Sequence, residues 1–165
     1  MENIDNFDLK NKWVLWYHPT DNNDWSMESY KKVFEIKTYY DLLYIMKNLT
    51  NVSSGMFFVM RDGIKPIYED PQNMSGGYWS IRLMKRDSYD YFKKIVYYIV
   101  MESLMRRDDH NKKINGLSIS PKINNCIFKI WNNDYSGLKT NDLRKDIDGL
   151  SSHFENTFYL QHQEK

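Results

Sequence analysis

Two groups of side chains stand where packing periodicity gives them no place. Trp25 closes the stretch His18-Pro-Thr-Asp-Asn-Asn-Asp24, which is dense in turn residues and reads as a loop. Ile127, Lys129 and Trp131 fall on one face of an alternating segment whose other face carries Phe128 and Ile130. In the segment before it, Ser118, Ser120 and Lys122 alternate with Leu117 and Ile119. An aromatic ring among lysines and hydroxyls can stack on a flat ligand and contact phosphate. A solvated edge tryptophan with free lysines is the alternative that periodicity leaves open. The remaining reactive groups do not suggest catalysis. His18, His110, His153 and His162 are scattered without a nucleophile partner, and neither an acidic cluster at metal spacing nor a glycine-rich phosphate loop is visible. Cys126 is the only cysteine, so an intrachain disulfide is impossible and a cysteine-based zinc site lacks its ligands.

Composition narrows the classes. The chain has 165 residues, a length that suits one domain. It carries 23 Lys plus Arg against 22 Asp plus Glu, so any anion site must be a local cluster rather than a general basic surface. Apolar residues at 41% exclude wholesale disorder. The longest apolar run, Ile95–Met101, is too short to cross a bilayer, and the start shows no basic and apolar leader, so a cytoplasmic protein is expected. Aromatic residues reach 16%, with 5 Trp and 13 Tyr. An AT-rich coding sequence, as in some viruses and protists, accounts for much tyrosine but not for tryptophan, so the five indoles occupy selected positions.

The elements that must position these residues follow from period and punctuation. The first 12 residues read as a flexible arm, with the domain over residues 13–165. Strands are predicted at Trp13–Tyr17, Tyr30–Ile36, Met56–Met60 and Tyr78–Leu83. A hairpin joins Ile114–Pro121 to Cys126–Asn132, and a last strand spans Thr157–His162. In the second strand Lys32, Phe34 and Ile36 share one face. Helices are predicted after the Thr38/Asp41 capping box, after Asp87 or Ser88, and after Asn141, the last with Leu143, Ile147 and Leu150 inward. The sum is an α+β domain, a mostly antiparallel sheet with helices on one face and the other face open.

Three segments carry a resemblance. They are Trp13-x-x-Trp16 followed by Trp25; Asp62-Gly-Ile-x-Pro-x-Tyr-Glu-Asp70 running to Asn73 and Gly76-Gly-Tyr-Trp79; and Gly116 through Ile130-Trp131. Their order and spacing resemble the mRNA cap-binding translation initiation factor 4E family, over roughly residues 7–162. The resemblance implies a curved sheet of about eight strands with three helices on its convex face. It implies a non-enzymatic protein without cofactor, whose ligand in the concave slot is the 7-methylguanosine cap of mRNA. By family position Trp25 and Tyr68 are the stacking plates for the methylated, cationic guanine, and Glu69 accepts hydrogen bonds from its N1–H and N2–H₂. Trp131 packs near the N7 methyl, and Lys122 with Lys129 meets the phosphates. Asp70 pins the loop, and Trp13, Trp16 and Trp79 belong to the core.

Departures from the family pattern are specific. Tyr68 stands for the usual tryptophan, Lys122 for arginine, and Ile127 for a phosphate-binding lysine that Lys129 replaces. On the convex face the family binds helices carrying Tyr-x-x-x-x-Leu-apolar, from a scaffold initiation factor or a binding protein. Here Leu9, Tyr39 and Leu43 fall at that surface, Leu43 in place of a tryptophan. Family members also continue past the last strand into a loop that closes over the phosphates, whereas this sequence stops at Lys165. A monomer is expected, acting in translation initiation. The alternatives are a cap-binding competitor that represses translation, a degenerate member without cap binding, and, from another class, a cap hydrolase.

Overall fold

The structure, a computed structural model, describes residues 7–162. Seven antiparallel strands form one sheet: β1 (Asp8–His18), β2 (Lys31–Thr38), β3 (Met56–Arg61), β4 (Gly77–Met84), β5 (Ile114–Pro121), β6 (Asn125–Asn132) and β7 (Phe158–Gln161). Their spatial order is β2-β1-β3-β5-β6-β4-β7. Five helices connect them: α1 (Tyr39–Asn48), α2 (Pro71–Met74), α3 (Ser88–Val100), α4 (Asp108–Asn111) and α5 (Ser151–Glu155). The α+β expectation holds. Among the described residues the strands number seven rather than about eight, and the helices five rather than three because short turns at Pro71–Met74 and Asp108–Asn111 are helical as well.

Alternation sorts the strands into two faces. Leu15, Val59, Leu117 and Ile130 pair in turn across β1, β3, β5 and β6 and point toward the helices. With Leu42 and Ile45 of α1, Phe92, Ile95, Val96 and Ile99 of α3, and Phe154 of α5, they form the main core. The opposite face carries a second, smaller cluster of Phe58, Met60, Ile64 and Trp131, with Trp16, Tyr30, Met56 and Tyr68 packed on it. Trp13 and Trp79 are fully buried in the main core, as expected. Trp16 is not with them. It lies three residues from Trp13 on a period-two strand, which puts it on the opposite face.

Helix α1 begins as its sequence signals. Thr38 Oγ1 accepts from the Asp41 amide at 3.1 Å while the Asp41 carboxylate accepts from the Thr38 amide at 2.9 Å. The third predicted helix is displaced. Leu143, Ile147 and Leu150 are buried as foreseen, but on a 3-10 turn (Thr140–Asp142) and irregular chain, with α5 following at Ser151. A helix-like spacing of apolar residues is met equally by a winding segment that returns to the core three times.

Two further expectations are corrected. Residues 8–12, assigned to the arm, belong to β1, and residues 1–6 lie outside the described region. Asn11 Nδ2 donates to both Glu102 oxygens at 3.0 Å, and Arg61 Nη1 meets Glu102 at 2.7 Å while its guanidinium lies 4.5 Å over the Trp13 ring. This buried pair joins β1 to β3 and to the turn after α3, where Glu102 adopts φ 53°. In β2 the register shifts between Leu15 and Trp16, so Lys32 comes opposite Trp16 and leaves the face of Phe34 and Ile36.

Candidate functional site

The open face holds a slot of about 430 Å³. Its floor is built from β3, β5 and β6, whose open-face residues Phe58, Ser118, Lys129 and Ile127 line it with Trp131. The Trp131 indole is nearly fully buried and donates from Nε1 to Ser118 Oγ at 2.9 Å, which fixes its ring plane. Phe58 meets that ring edge-on at 6.4 Å. One wall is the loop after β1 with Trp25, and another is the loop after β3 with Pro66, Ile67, Tyr68 and Glu69.

Each wall is held by local hydrogen bonds. Behind Trp25 lies His18, parallel to the indole at a centroid distance of 4.4 Å and anchored by Nε2 to the Asp24 carbonyl at 2.7 Å. The Trp25 side chain is 46% exposed, so one indole face rests on the imidazole while much of the ring stays accessible. Opposite, Asp70 accepts from the Lys65 amide at 2.8 Å and the Gln72 amide at 2.9 Å, capping α2, as expected of a loop-pinning residue. Buried Asn73 donates to the Lys65 and Ile67 carbonyls, and Asn115 donates to Asn73 Oδ1. These five hydrogen bonds hold the segment that presents Tyr68 and Glu69.

Tyr68 lies against Trp131 at 5.3 Å, with 23° between their planes. Glu69 is exposed at the rim. Tyr30 lies on the same floor, and burial, with the nearby Tyr68 and Glu69 groups, pushes its phenol up to about 12, so it stays neutral. At the other end Lys122 is exposed and Lys129 half-buried, its Nζ 4.4 Å over the Tyr78 ring. His162 sits beside Trp131 at 4.8 Å and Tyr68 at 5.0 Å. Burial, and secondarily the Lys129 charge, push its imidazole down to about 4. The slot thus pairs an aromatic, apolar body with one carboxylate at one edge and two ammonium groups at another. That arrangement suits a flat, electron-poor ring with donor edges and an anionic tail.

The family model for Eukaryotic initiation factor 4E matches residues 8–165. The chain belongs to this family. It is 29% identical over 140 residues to a eukaryotic translation initiation factor 4E homolog of Acanthamoeba polyphaga mimivirus, covering 71% of this chain and 52% of that protein. It is 28% identical over 135 residues to the initiation factor NCBP of Oryza sativa subsp. japonica, covering 78% and 58%. The chain therefore spans little more than half the length of these curated relatives. Among solved structures, Ascaris suum eIF4E-3 in complex with m2,2,7G cap matches with TM-score 0.75 at 20% identity, covering 97% of this chain and 93% of that one. Caenorhabditis elegans eIF4E-3 with the 4E-binding protein Mextli and cap analog matches with TM-score 0.75 at 21%, covering 94% and 92%. The initiation factor 4E fold is thereby shared along nearly the whole chain.

All six slot residues singled out from the sequence, Trp25, Tyr68, Glu69, Lys122, Lys129 and Trp131, line this one cavity. The three assigned to the convex surface divide. Leu43 is exposed on α1, whereas Leu9 and Tyr39 are half-buried against the main core. Exposed Tyr40 and Tyr44 share the α1 surface with Leu43, and Phe7 meets Tyr40 edge-on at 5.1 Å. Sequence reasoning missed Tyr30, Phe58, His18 and His162 as slot or supporting residues. For Phe58 the signal existed, since it faces away from Phe57 and Val59 on β3. His18 meets Asp24, Trp25 and Tyr30 within the next twelve residues, but no periodicity marks a loop contact; His162 gave no signal, because Tyr68 and Trp131 are distant in sequence.

Proposed function

We propose that this chain binds the 7-methylguanosine 5′ cap of mRNA in the open-face slot and acts in translation initiation. The observation that carries this is that Trp25, from the loop after β1, and Tyr68 with Glu69, from the loop after β3, line one apolar cavity together with Trp131. Trp25 and Tyr68 supply the two faces of a sandwich for the cationic base. The Glu69 carboxylate accepts from guanine N1–H and N2–H₂, a pair of donors that adenine lacks on that edge. Trp131 receives the N7 methyl, and Lys122 with Lys129 takes the phosphates. The protein acts by binding rather than by chemistry, and its ligand needs no cofactor.

The convex surface of α1, with Leu43, Tyr40 and Tyr44 exposed and Leu9 and Tyr39 beneath, is the place for a partner helix of the Tyr-x-x-x-x-Leu-apolar kind. The Caenorhabditis relative was solved with Mextli and a schistosome relative with 4E-BP. A scaffold factor docking there makes this protein an activator, and failure to engage one makes it a competitor for caps.

The deciding experiment is calorimetric titration with 7-methyl-GTP and with GTP. The methylated ligand binds at least ten-fold tighter, which needs only about 1.4 kcal/mol from the added charge over the rings. Equal affinities would remove the sandwich.

A further inference from the structure

The open face does not end at the slot. Beyond Lys129 the sheet continues through β4 to the edge strand β7, and the register fixes what stands there. Lys129 is opposite Ser80, and Ser80 is opposite Phe158, so these three form a line across three strands. At about 4.8 Å per strand, the Phe158 backbone lies about 10 Å from that of Lys129. Arg82 is two residues along β4 from Ser80, on the same face and opposite Ile127. Phe158 is 72% exposed, and Arg82 is exposed. At the adjoining corner Lys85 Nζ donates to the Lys122 carbonyl at 3.0 Å, which adds a further cation beside Lys122.

None of Arg82, Lys85, Lys122 and Lys129 makes an ion pair with a carboxylate among the described residues. In a chain whose net charge is only +1, these four cations without carboxylate partners on one face, with Lys129 and Arg82 nearest the exposed Phe158 ring and Lys85 and Lys122 at the far corner, are a local charge excess. An apolar partner would account for Phe158 but would have to desolvate the cations. A polyanion with flat, stackable faces accounts for both, because single-stranded nucleic acid is bound by cationic tracks interleaved with aromatic plates.

We infer that the β4–β7 face is a platform for the RNA that follows the cap, with Arg82 contacting a phosphodiester and Phe158 stacking on a base. This rests on the cap-binding reading for its direction: the chain leaves the slot past Lys122 and Lys129 and crosses β4 toward the edge. Ser80, small and half-buried between Lys129 and Phe158, leaves the strand a low crossing point.

The test compares 7-methyl-GDP with a capped tetranucleotide and with the same tetranucleotide bearing an uncapped 5′-triphosphate, by fluorescence anisotropy or calorimetry at fixed salt. The capped tetranucleotide binds the parent protein at least ten-fold tighter than 7-methyl-GDP. Arg82→Gln and Phe158→Ser each remove at least a three-fold share of that advantage and leave 7-methyl-GDP binding within two-fold. Phe158→Leu keeps apolar area without a π-face and behaves as the serine variant does. Equal affinity of the parent for short and long capped ligands overturns the platform and leaves the cap slot standing. Loss of the cap preference, with the uncapped tetranucleotide still bound through Arg82 and Phe158, overturns the cap reading and leaves the platform. Full RNA affinity in Phe158→Leu rules out stacking. Unchanged RNA affinity in Arg82→Gln and Phe158→Ser, with a changed sedimentation coefficient, marks the face as a protein contact and overturns the inference.

Discussion

Replacing Trp25 by alanine separates a ligand plate from a structural ring. The indole is 46% exposed, so of the roughly 250 Å² it could bury, about 130 Å² is covered, mainly by His18 and the slot rim. At about 25 cal/mol per Å² the cost to stability is at most about 3 kcal/mol, and less because the denatured loop already covers part of that area. His18 keeps its anchor to the Asp24 carbonyl at 2.7 Å, which limits the disturbance to the loop itself. On the ligand side, a stacked base is worth about 1–3 kcal/mol by alanine substitution, and the methyl-guanine charge adds about 0.5–2. The expected loss is therefore about 1.5–5 kcal/mol of binding, or about ten-fold to several thousand-fold in Kd. With a domain stability of about 5–15 kcal/mol, even a loss of about 3 leaves nearly every molecule folded, so unfolding cannot imitate the binding defect. Calorimetry with 7-methyl-GTP reads the affinity, since the variant lacks part of the intrinsic fluorescence, and thermal melting reads the fold. An affinity within three-fold of the parent, accompanied by a large fall in Tm, would refute the assignment and make Trp25 a packing residue.

Glu69→Gln presents a donor to the donors of guanine while keeping one acceptor, and should weaken cap binding by about 1.5–3 kcal/mol in calorimetry with Tm unchanged. The dependence of 7-methyl-GTP affinity on salt should be shallow, with a slope equivalent to about two counterions or fewer, and Lys122→Ala should remove about half of it; a slope indifferent to Lys122 would place the phosphates elsewhere. His162 supplies a pH signature. Its imidazole is pushed from the ordinary 6.5 down to about 4, so its share of stability is complete above pH 6.5 and is lost as pH falls toward 4. His162→Phe should flatten that part of the Tm-against-pH curve, by up to about 3 kcal/mol between pH 7 and 4, and an unchanged curve would show that the ring is protonated without penalty.

The parts of the molecule legible in the sequence are those set by local rules. The Thr38 and Asp41 pair announced α1, the alternation Leu117-Ser118-Ile119 announced which face of β5 meets water, and the aromatic excess announced a site beyond the core. What escaped was set by contacts distant in sequence. The order that β1 gains from Asn11 depends on Glu102, ninety-one residues away. The bulge that turns Lys32 to the other face is a property of pairing with β1, which no single strand records. The ties that hold the Tyr68 loop run through Asn73 to Asn115 on β5, and buried amides leave no periodic trace. The winding of residues 143–150 shows the limit of apolar spacing, because burial was predicted correctly and conformation was not.

The two apolar clusters explain how one face of this sheet can keep its pattern while the other departs from it. Neighbouring residues of β3 go to opposite sides: Phe57 and Val59 join the main core, and Phe58 and Met60 join the cluster under the slot. Leu9 and Tyr39 rest on the first cluster, whereas Tyr68 and Trp131 belong to the second. A change on the α1 surface therefore reaches the slot only by moving a strand, and strands paired on both sides by continuous ladders resist such movement. Leu43 can stand where the resemblance places a tryptophan without disturbing the indole of Trp131, which is fixed independently through Ser118. Substitutions at sites that share no partners act nearly additively on stability, and the same separation lets two binding surfaces change independently. Within the slot there is no such freedom. Trp131 touches Phe58, Tyr68 and His162 together, so any change there must be absorbed by all of them. Substitutions among these slot residues are accordingly coupled, and those on the α1 surface are not.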